Sequence, residues 1–148
     1  MQFPTTYNDV LKRIDQVDPV RYGKSRNFID GAVTYLSPYI SRGLITLPQV
    51  KEQVMSRGYS NSQAEKFLQE LAWREFFQRV WWANGNAIFK DMKQPQQPVV
   101  HQQLPDALSN ASTGIEAIDA AIQSLYTNGY MHNHVRMYVA GITCNLAK

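Results

Sequence analysis

An all-α fold is predicted by three features of this 148-residue chain. Helix-opening signals recur along it: Thr6 with Asp9, Ser37-Pro38, Thr46 with Gln49, Ser62 with Glu65, and Thr113 with Glu116. Each sets a hydroxyl three residues before an acid or amide, or directly before a proline, which suits the free amides of a first helical turn. Apolar residues follow at three- and four-residue spacing, and no stretch alternates with the period of two that a half-buried strand requires.

Taken in order, the first helix is expected over about 7 to 18, with Tyr7, Val10, Leu11, Ile14 and Val17 as its apolar stripe and Pro19 closing it. Residues 20 to 36 hold Gly23 and Gly31 without a sustained period, so an irregular connection is expected. Ser37-Pro38 opens a short helix ending near Gly43, with Ser37 as its cap. Thr46 and Gln49 open another through Leu47, Val50 and Val54, stopped by Gly58.

Ser62 and Glu65 start the longest helix, which Asn84-Gly85 ends. Phe67, Leu68, Leu71, Ala72, Phe76 and Val80 form one stripe on it and Trp73, Phe77 and Trp81 a second, so this helix is expected to be central. Residues 93 to 105, with three prolines, read as a loop. Thr113 and Glu116 box a helix carrying Ile115, Ile118, Ile122 and Leu125 up to Gly129. The last helix, from about 132, is expected to bury Val135, Tyr138, Val139, Ile142 and Leu146, and it meets no stop signal before the chain ends.

Composition bounds the function. With 44% hydrophobic residues the chain can build a sizeable core, and no window approaches the roughly 20 consecutive apolar residues of a membrane span. One cysteine, Cys144, forbids an internal disulfide, and the N-terminus lacks the pattern of a signal peptide, so a cytoplasmic setting is expected. The net charge of +3 permits an anionic partner without requiring one. Three Trp, eight Tyr and six Phe sit in a chain only 18% charged, and Trp73, Trp81 and Trp82 crowd into ten residues and need something large to pack against.

Several residues could carry chemistry. His132 and His134, if both helical, point about 200° apart, so no metal site is expected. Cys144 sits among apolar residues and is expected to be a buried, inert thiol. Asn133, Arg136 and Met137, followed by the small Ala140 and Gly141, offer an amide and a guanidinium beside a shallow spot, or an ordinary helix contact. Glu70 and Arg74 are four residues apart next to Trp73 and Phe77, which equips a helix for phosphate contact and base stacking or forms a plain salt bridge beside core aromatics. The helix start at Ser37-Pro38 suits a phosphate, as every helix start does.

Read together, Tyr22-Gly-Lys-Ser-Arg26, Thr34-Tyr-Leu-Ser-Pro-Tyr39, Glu70-Leu-Ala-Trp-Arg-Glu-Phe76, Thr113-Gly114 with Ile118-Asp119, and Met131-His-Asn-His-Val-Arg-Met137 resemble the flavin-binding helical domain of the DNA photolyase and cryptochrome family. The resemblance covers about 20 to 148, behind an N-terminal helix over 1 to 19. It implies a multi-helix FAD-binding domain, truncated: the family's antenna-binding α/β domain and the second half of its flavin domain are expected to be missing, leaving this chain alone inactive.

By that resemblance, FAD would be held by Tyr22, by Val33, Thr34, Tyr35, Leu36 and Ser37 at its phosphates, and by Phe67, Arg74, Asn133 and Arg136. Damaged DNA would present a flipped pyrimidine dimer to Glu70, the tentative catalytic residue, with Trp73 and Met137 as apolar walls, Asn133 nearby and Arg26 and His134 at the backbone. The implied activity is light-driven repair by electron transfer from reduced FAD; the alternative is a cryptochrome-like photosensor or a non-catalytic nucleic-acid-binding relative. Four positions depart from the family: Tyr35 replaces an arginine, Thr34 a serine, and Leu108 and Tyr130 each a tryptophan. An opened cavity would expose Trp73, Phe77, Trp81 and Trp82, so self-association is also expected.

Overall fold

The protein is described here by a computed structural model over residues 3–95, 99–100 and 102–146. Helices α1 (Tyr7–Asp15), α2 (Pro19–Ser25), α3 (Ser37–Ser41), α4 (Leu47–Met55) and α5 (Asn61–Asn84) are followed by a 3-10 turn at Gly85–Phe89, then by α6 (Asp106–Ser109), α7 (Glu116–Asn128) and α8 (Asn133–Gly141), which ends in a π turn at Ile142–Leu146. The described residues contain no strand, as the sequence predicts. No helix among them is long and apolar enough to cross a membrane. The chain divides into two compact units, Pro4–Lys90 and the part from Asp91 onward, which Phe3 joins.

In the Pro4–Lys90 unit, α1 and α4 meet through Val10, Ile14, Val50 and Val54, all fully buried. Burying side chains of this size contributes about 1.5–3 kcal/mol each. Polar bonds fix the same contact: Gln53 Nε2 donates to Asp15 Oδ1 at 2.7 Å, and the Arg57 guanidinium donates to the carbonyls of Asp15 and Val17, which close the C-terminal end of α1. Tyr39 is buried and its hydroxyl donates to the Pro4 carbonyl at 2.9 Å, tying α3 to the start of the unit.

The first helix is shorter than its periodicity implies, and the stretch expected to be irregular begins with a helix. Asp18 accepts from the amides of Val20 and Arg21 at 3.0 and 2.9 Å, and Pro19 takes the first helical position, so the proline opens α2 instead of closing α1. No apolar period marks α2 because its packing face is made of Tyr22 and Gly23. A Cβ on Gly23 would lie 3.4 Å from the Lys66 Cβ, so glycine lets α2 approach α5 closely.

Two caps also differ from expectation. The Thr46 and Gln49 box holds, but α5 is capped two residues earlier than Ser62, with Ser60 and Gln63 forming the reciprocal box. Both serines read alike in sequence, and the one that follows the turn at Gly58 and Tyr59 takes the role. Nor is α5 central throughout: Ala64 and Phe67 are buried, whereas Trp73, Phe76, Phe77, Trp81 and Trp82 are exposed.

In the second unit, Leu108, Ile118, Ile122, Met131 and Val135 form the core, with Val139 and Ile142 packed against it. Tyr138 and Leu146, expected inside, are exposed. The π turn changes the pitch after Gly141, so the 3.6-residue stripe does not extend to Leu146. The expected box of Thr113 with Glu116 is replaced by a longer clasp. Asp119 accepts from the Thr113 amide and hydroxyl and from the Gly114 amide, at 2.8, 2.7 and 3.1 Å, and Ile115 is the residue before α7. Part of the proline-rich loop, 96–98 and 101, lies outside the described residues; the described remainder from 93 to 105 is irregular.

Candidate functional site

Phe67, Glu70 and Arg74 project from one stripe of α5, being three and four residues apart. Each meets a different partner from the preceding chain. Phe67 is buried and lies edge-on to Tyr22, ring centroids 5.6 Å apart and planes at 86°. Glu70 Oε1 is 3.4 Å from Arg26 Nη2. Arg74 Nη2 donates to Ser41 Oγ at 2.6 Å.

The spacing on α5 sets Glu70 beside Arg74, and the structure adds a partner for Glu70 from another helix. Glu70 turns to Arg26 because α2 packs along this stripe and brings a guanidinium to it, held by a bond to the Gly23 carbonyl at 3.2 Å and standing 5.9 Å above the Tyr22 ring. Ser41, the residue that receives Arg74, escaped the sequence reading. It lies 33 positions away and no local pattern links the two.

The segment from Val33 to Ser37 is delivered to α3 by a tight return of the chain. Ser25 Oγ donates to the Arg21 carbonyl at 2.9 Å and accepts from the Ala32 amide at 3.0 Å. A Cβ on Gly31 would lie 1.7 Å from the Ser25 carbonyl oxygen, so only glycine fits that return. Tyr35 has φ of 53°, a left-handed conformation costly for a tyrosine, and the Leu36 amide donates to Thr34 Oγ1 at 3.3 Å. Ser37 does not cap α3. Leu36 occupies the cap position without a side-chain hydrogen bond, since its apolar side chain is drawn into the core, and the Ser37 carbonyl accepts from Ser41 Oγ at 2.8 Å.

Trp73 stacks on Phe77 at 5.9 Å and 27° and meets Phe76 edge-on at 5.5 Å and 85°, an open aromatic surface continuing the stripe.

On α8 the histidines differ from expectation. His132 precedes the helix as its cap, Nδ1 accepting from the His134 amide at 3.2 Å, so the two do not share helical geometry. That bond requires an unprotonated Nδ1. Asn133 opens the helix exposed, and Arg136 Nε donates back to the Met131 carbonyl at 3.0 Å. His134 is half-buried and Met137 is exposed. Cys144, expected to be buried, is exposed because it lies in the π turn. Among the described residues no group of three or more His, Cys, Asp or Glu could hold a metal ion.

The family profile described as the FAD binding domain of DNA photolyase matches residues 67–147, more than half of the chain. The chain belongs to this photolyase FAD-binding domain family. Among curated members, a deoxyribodipyrimidine photo-lyase of Halobacterium salinarum is 31% identical over 133 residues, covering 83% of this chain and 28% of the relative. One from Alkalihalophilus pseudofirmus is 29% identical over 138 residues, covering 88% of this chain and 29% of the relative.

Solved structures agree on the fold. A Synechocystis cryptochrome superposes with a TM-score of 0.84 at 24% identity, covering 97% of this chain and 32% of that one. A class III photolyase from Agrobacterium tumefaciens gives 0.73 at 26%, covering 92% and 30%. The chain thus spans less than a third of the length of these photolyase and cryptochrome relatives.

Proposed function

We propose that this chain supplies one wall of an FAD site in a photolyase-like protein that repairs pyrimidine dimers in DNA under light. The observation that carries the reading is the single stripe of α5 on which Phe67, Glu70 and Arg74 meet Tyr22, Arg26 and Ser41.

The donor set fits the cofactor. The hydroxyls of Tyr22, Thr34 and Ser37 and the guanidinium of Arg74, which bonds Ser41 of α3, are donors of the kind that would hold a diphosphate. Phe67 is buried behind Tyr22, so it acts by holding that ring in place. Val33, Tyr35 and Leu36 shape the backbone of the same segment, and Asn133 and Arg136 on α8 are further candidates for the flavin.

When bound, reduced FAD supplies an electron on illumination. The protein's own part is to receive the lesion. Glu70 would hydrogen-bond a base edge and Trp73 and Met137 would exclude water from it, while Asn133, Arg26 and His134 would meet the DNA strand. Arg26 now also neutralises Glu70, so base recognition by Glu70 competes with an ion pair already present.

The test is the visible absorption of the purified chain after incubation with FAD and gel filtration. Flavin bands that disappear on denaturation support the site, and a protein that stays colourless overturns it for this chain. Repair of a thymine dimer under blue light, against a dark control, tests the enzyme reading. One observation favours the second reading, a cryptochrome-like photosensor or a non-catalytic nucleic-acid-binding relative. Leu108, where the resemblance expects an electron-carrying tryptophan, is a buried core residue and cannot relay an electron as an indole would. Flavin uptake without repair would select it.

A further inference from the structure

Two residues expected at different parts of the DNA hold each other in the protein on its own. Arg26, expected at the strand backbone, and Glu70, expected at a base edge, lie 3.4 Å apart through Nη2 and Oε1. We infer that the pair is a specificity device: Glu70 withholds Arg26 from phosphate until an unpaired base offers Glu70 an N–H in exchange. The inference rests on the DNA-repair reading above and adds to it a rule for which DNA is admitted, a strand with an extrahelical base and not a fully paired one.

The two partners are held unequally. Arg26 is fixed from the α2 side, with Nη1 donating to the Gly23 carbonyl at 3.2 Å and the guanidinium 5.9 Å over the Tyr22 ring, and its side chain is 23% exposed. A guanidinium has five donors, so Arg26 can turn a free N–H to a phosphate without giving up Gly23. Glu70 is the more exposed partner, at 38%.

The chemistry of the two ligands then separates them. An ionised carboxylate only accepts hydrogen bonds, and so does a phosphate. A phosphate that draws on Arg26 therefore leaves Glu70 unsatisfied, with two anions crowding one cation. An unpaired thymine is uncharged and presents a ring N–H, which gives Glu70 a donor as Arg26 turns to the strand. In a paired base that N–H is already used, and it becomes free only when the base leaves the stack. Admission is thus selected by penalising the wrong ligand as well as by holding the right one. The neighbouring cations have other partners: Arg74 Nη2 donates to Ser41 Oγ at 2.6 Å, and Lys66 Nζ is 3.9 Å from Glu65.

Fluorescence anisotropy of the 148-residue chain with three labelled duplexes tests the inference: one fully paired, one with a single bulged thymine and one with a thymine dimer. The wild type is expected to prefer the bulged and dimer duplexes to the paired one. Glu70→Gln should bind the paired duplex about two- to five-fold more tightly, the range of a partly exposed ion pair. Its log affinity should also fall more steeply with log salt, by about 0.9, the signature of one further phosphate contact. In an Arg26→Ala background Glu70→Gln should bring no gain. Glu75→Gln removes the same charge from the Glu75–Arg79 pair, five residues on and about 140° round α5, and should leave the slope as it is. Circular dichroism checks that each variant is folded. An unchanged affinity and slope in Glu70→Gln, an equal gain in Glu75→Gln, or no preference for the bulge over the paired duplex overturns the inference and leaves the DNA-repair reading in place. No binding of any duplex by any of these proteins at low salt overturns both.

Discussion

Glu70 on α5 is paired with Arg26, the residue that follows α2, with 3.4 Å between Oε1 and Nη2. This contact links two helices that lie far apart in sequence, and Arg26 adds a bond to the Gly23 carbonyl and a position over the Tyr22 ring. Both side chains are partly exposed, so solvent screens the pair. Glu70→Gln is expected to destabilise the protein by no more than about 1 kcal/mol, and Arg26→Ala by about 1–2 kcal/mol because it also loses the other two contacts. A double-mutant cycle by urea denaturation checks both figures; an additive cycle would deny the pair any coupling.

Gly31 should tolerate no side chain. A Cβ there would sit 1.7 Å from a backbone oxygen, so the return from α2 to the Val33–Ser37 segment must shift. Gly31→Ala is expected to cost about 2–3 kcal/mol, large for the addition of one methyl group. Gly43→Ala makes a useful comparison, since its strain comes from a φ of 71° with nothing within 4 Å of the added carbon. Thermal melts of the two variants would separate clash from conformational strain.

Acid should loosen the Thr113 to Asp119 clasp. The hydrogen bond from the Thr113 side chain holds the Asp119 carboxyl below its ordinary value of 3.8; burial opposes it, and the Thr113 and Gly114 amides add to the lowering. A carboxyl depressed in the folded state contributes stability that is present above its unfolded value and is lost as the pH falls through the folded one. Asp9, lowered by hydrogen bonds from Lys12 and Thr6, adds to the same acid limb. Urea midpoints measured from neutral pH down to about 2 should fall on that limb, and less steeply in Asp119→Asn, which lacks the titrating group. An unchanged slope in the variant would show that the clasp does not titrate.

Arg74 separates a cofactor role from a structural one. Its guanidinium bonds Ser41 among its contacts, so Arg74→Ala should lower stability by about 1–2 kcal/mol. If it holds a cofactor phosphate, FAD affinity should fall by about 10- to 100-fold, as expected for a charge-assisted bond. Fluorescence titration with FAD measures the affinity, and Arg74→Lys should recover part of it. Equal affinity in wild type and Arg74→Ala would remove Arg74 from the site.

The sequence by itself determined the helical class, most of the helices, the Thr46 capping box and the family, because capping residues and order-dependent motifs act locally along the chain. It also marked Glu70, Arg74, Tyr22 and Phe67 as a group. Only the tertiary structure decided how they pair. Glu70 meets Arg26 because α2 lies along α5, and Arg74 meets Ser41 because the Gly31 return sets α3 beside it. Helix periodicity says which side chains share a face, and it cannot say which other element covers that face. For the same reason periodicity sets Trp73, Phe77 and Trp81 on a second apolar stripe of a helix expected to be central, and they stand exposed as an opened cavity would leave them: an apolar stripe is buried only where a neighbour reaches it.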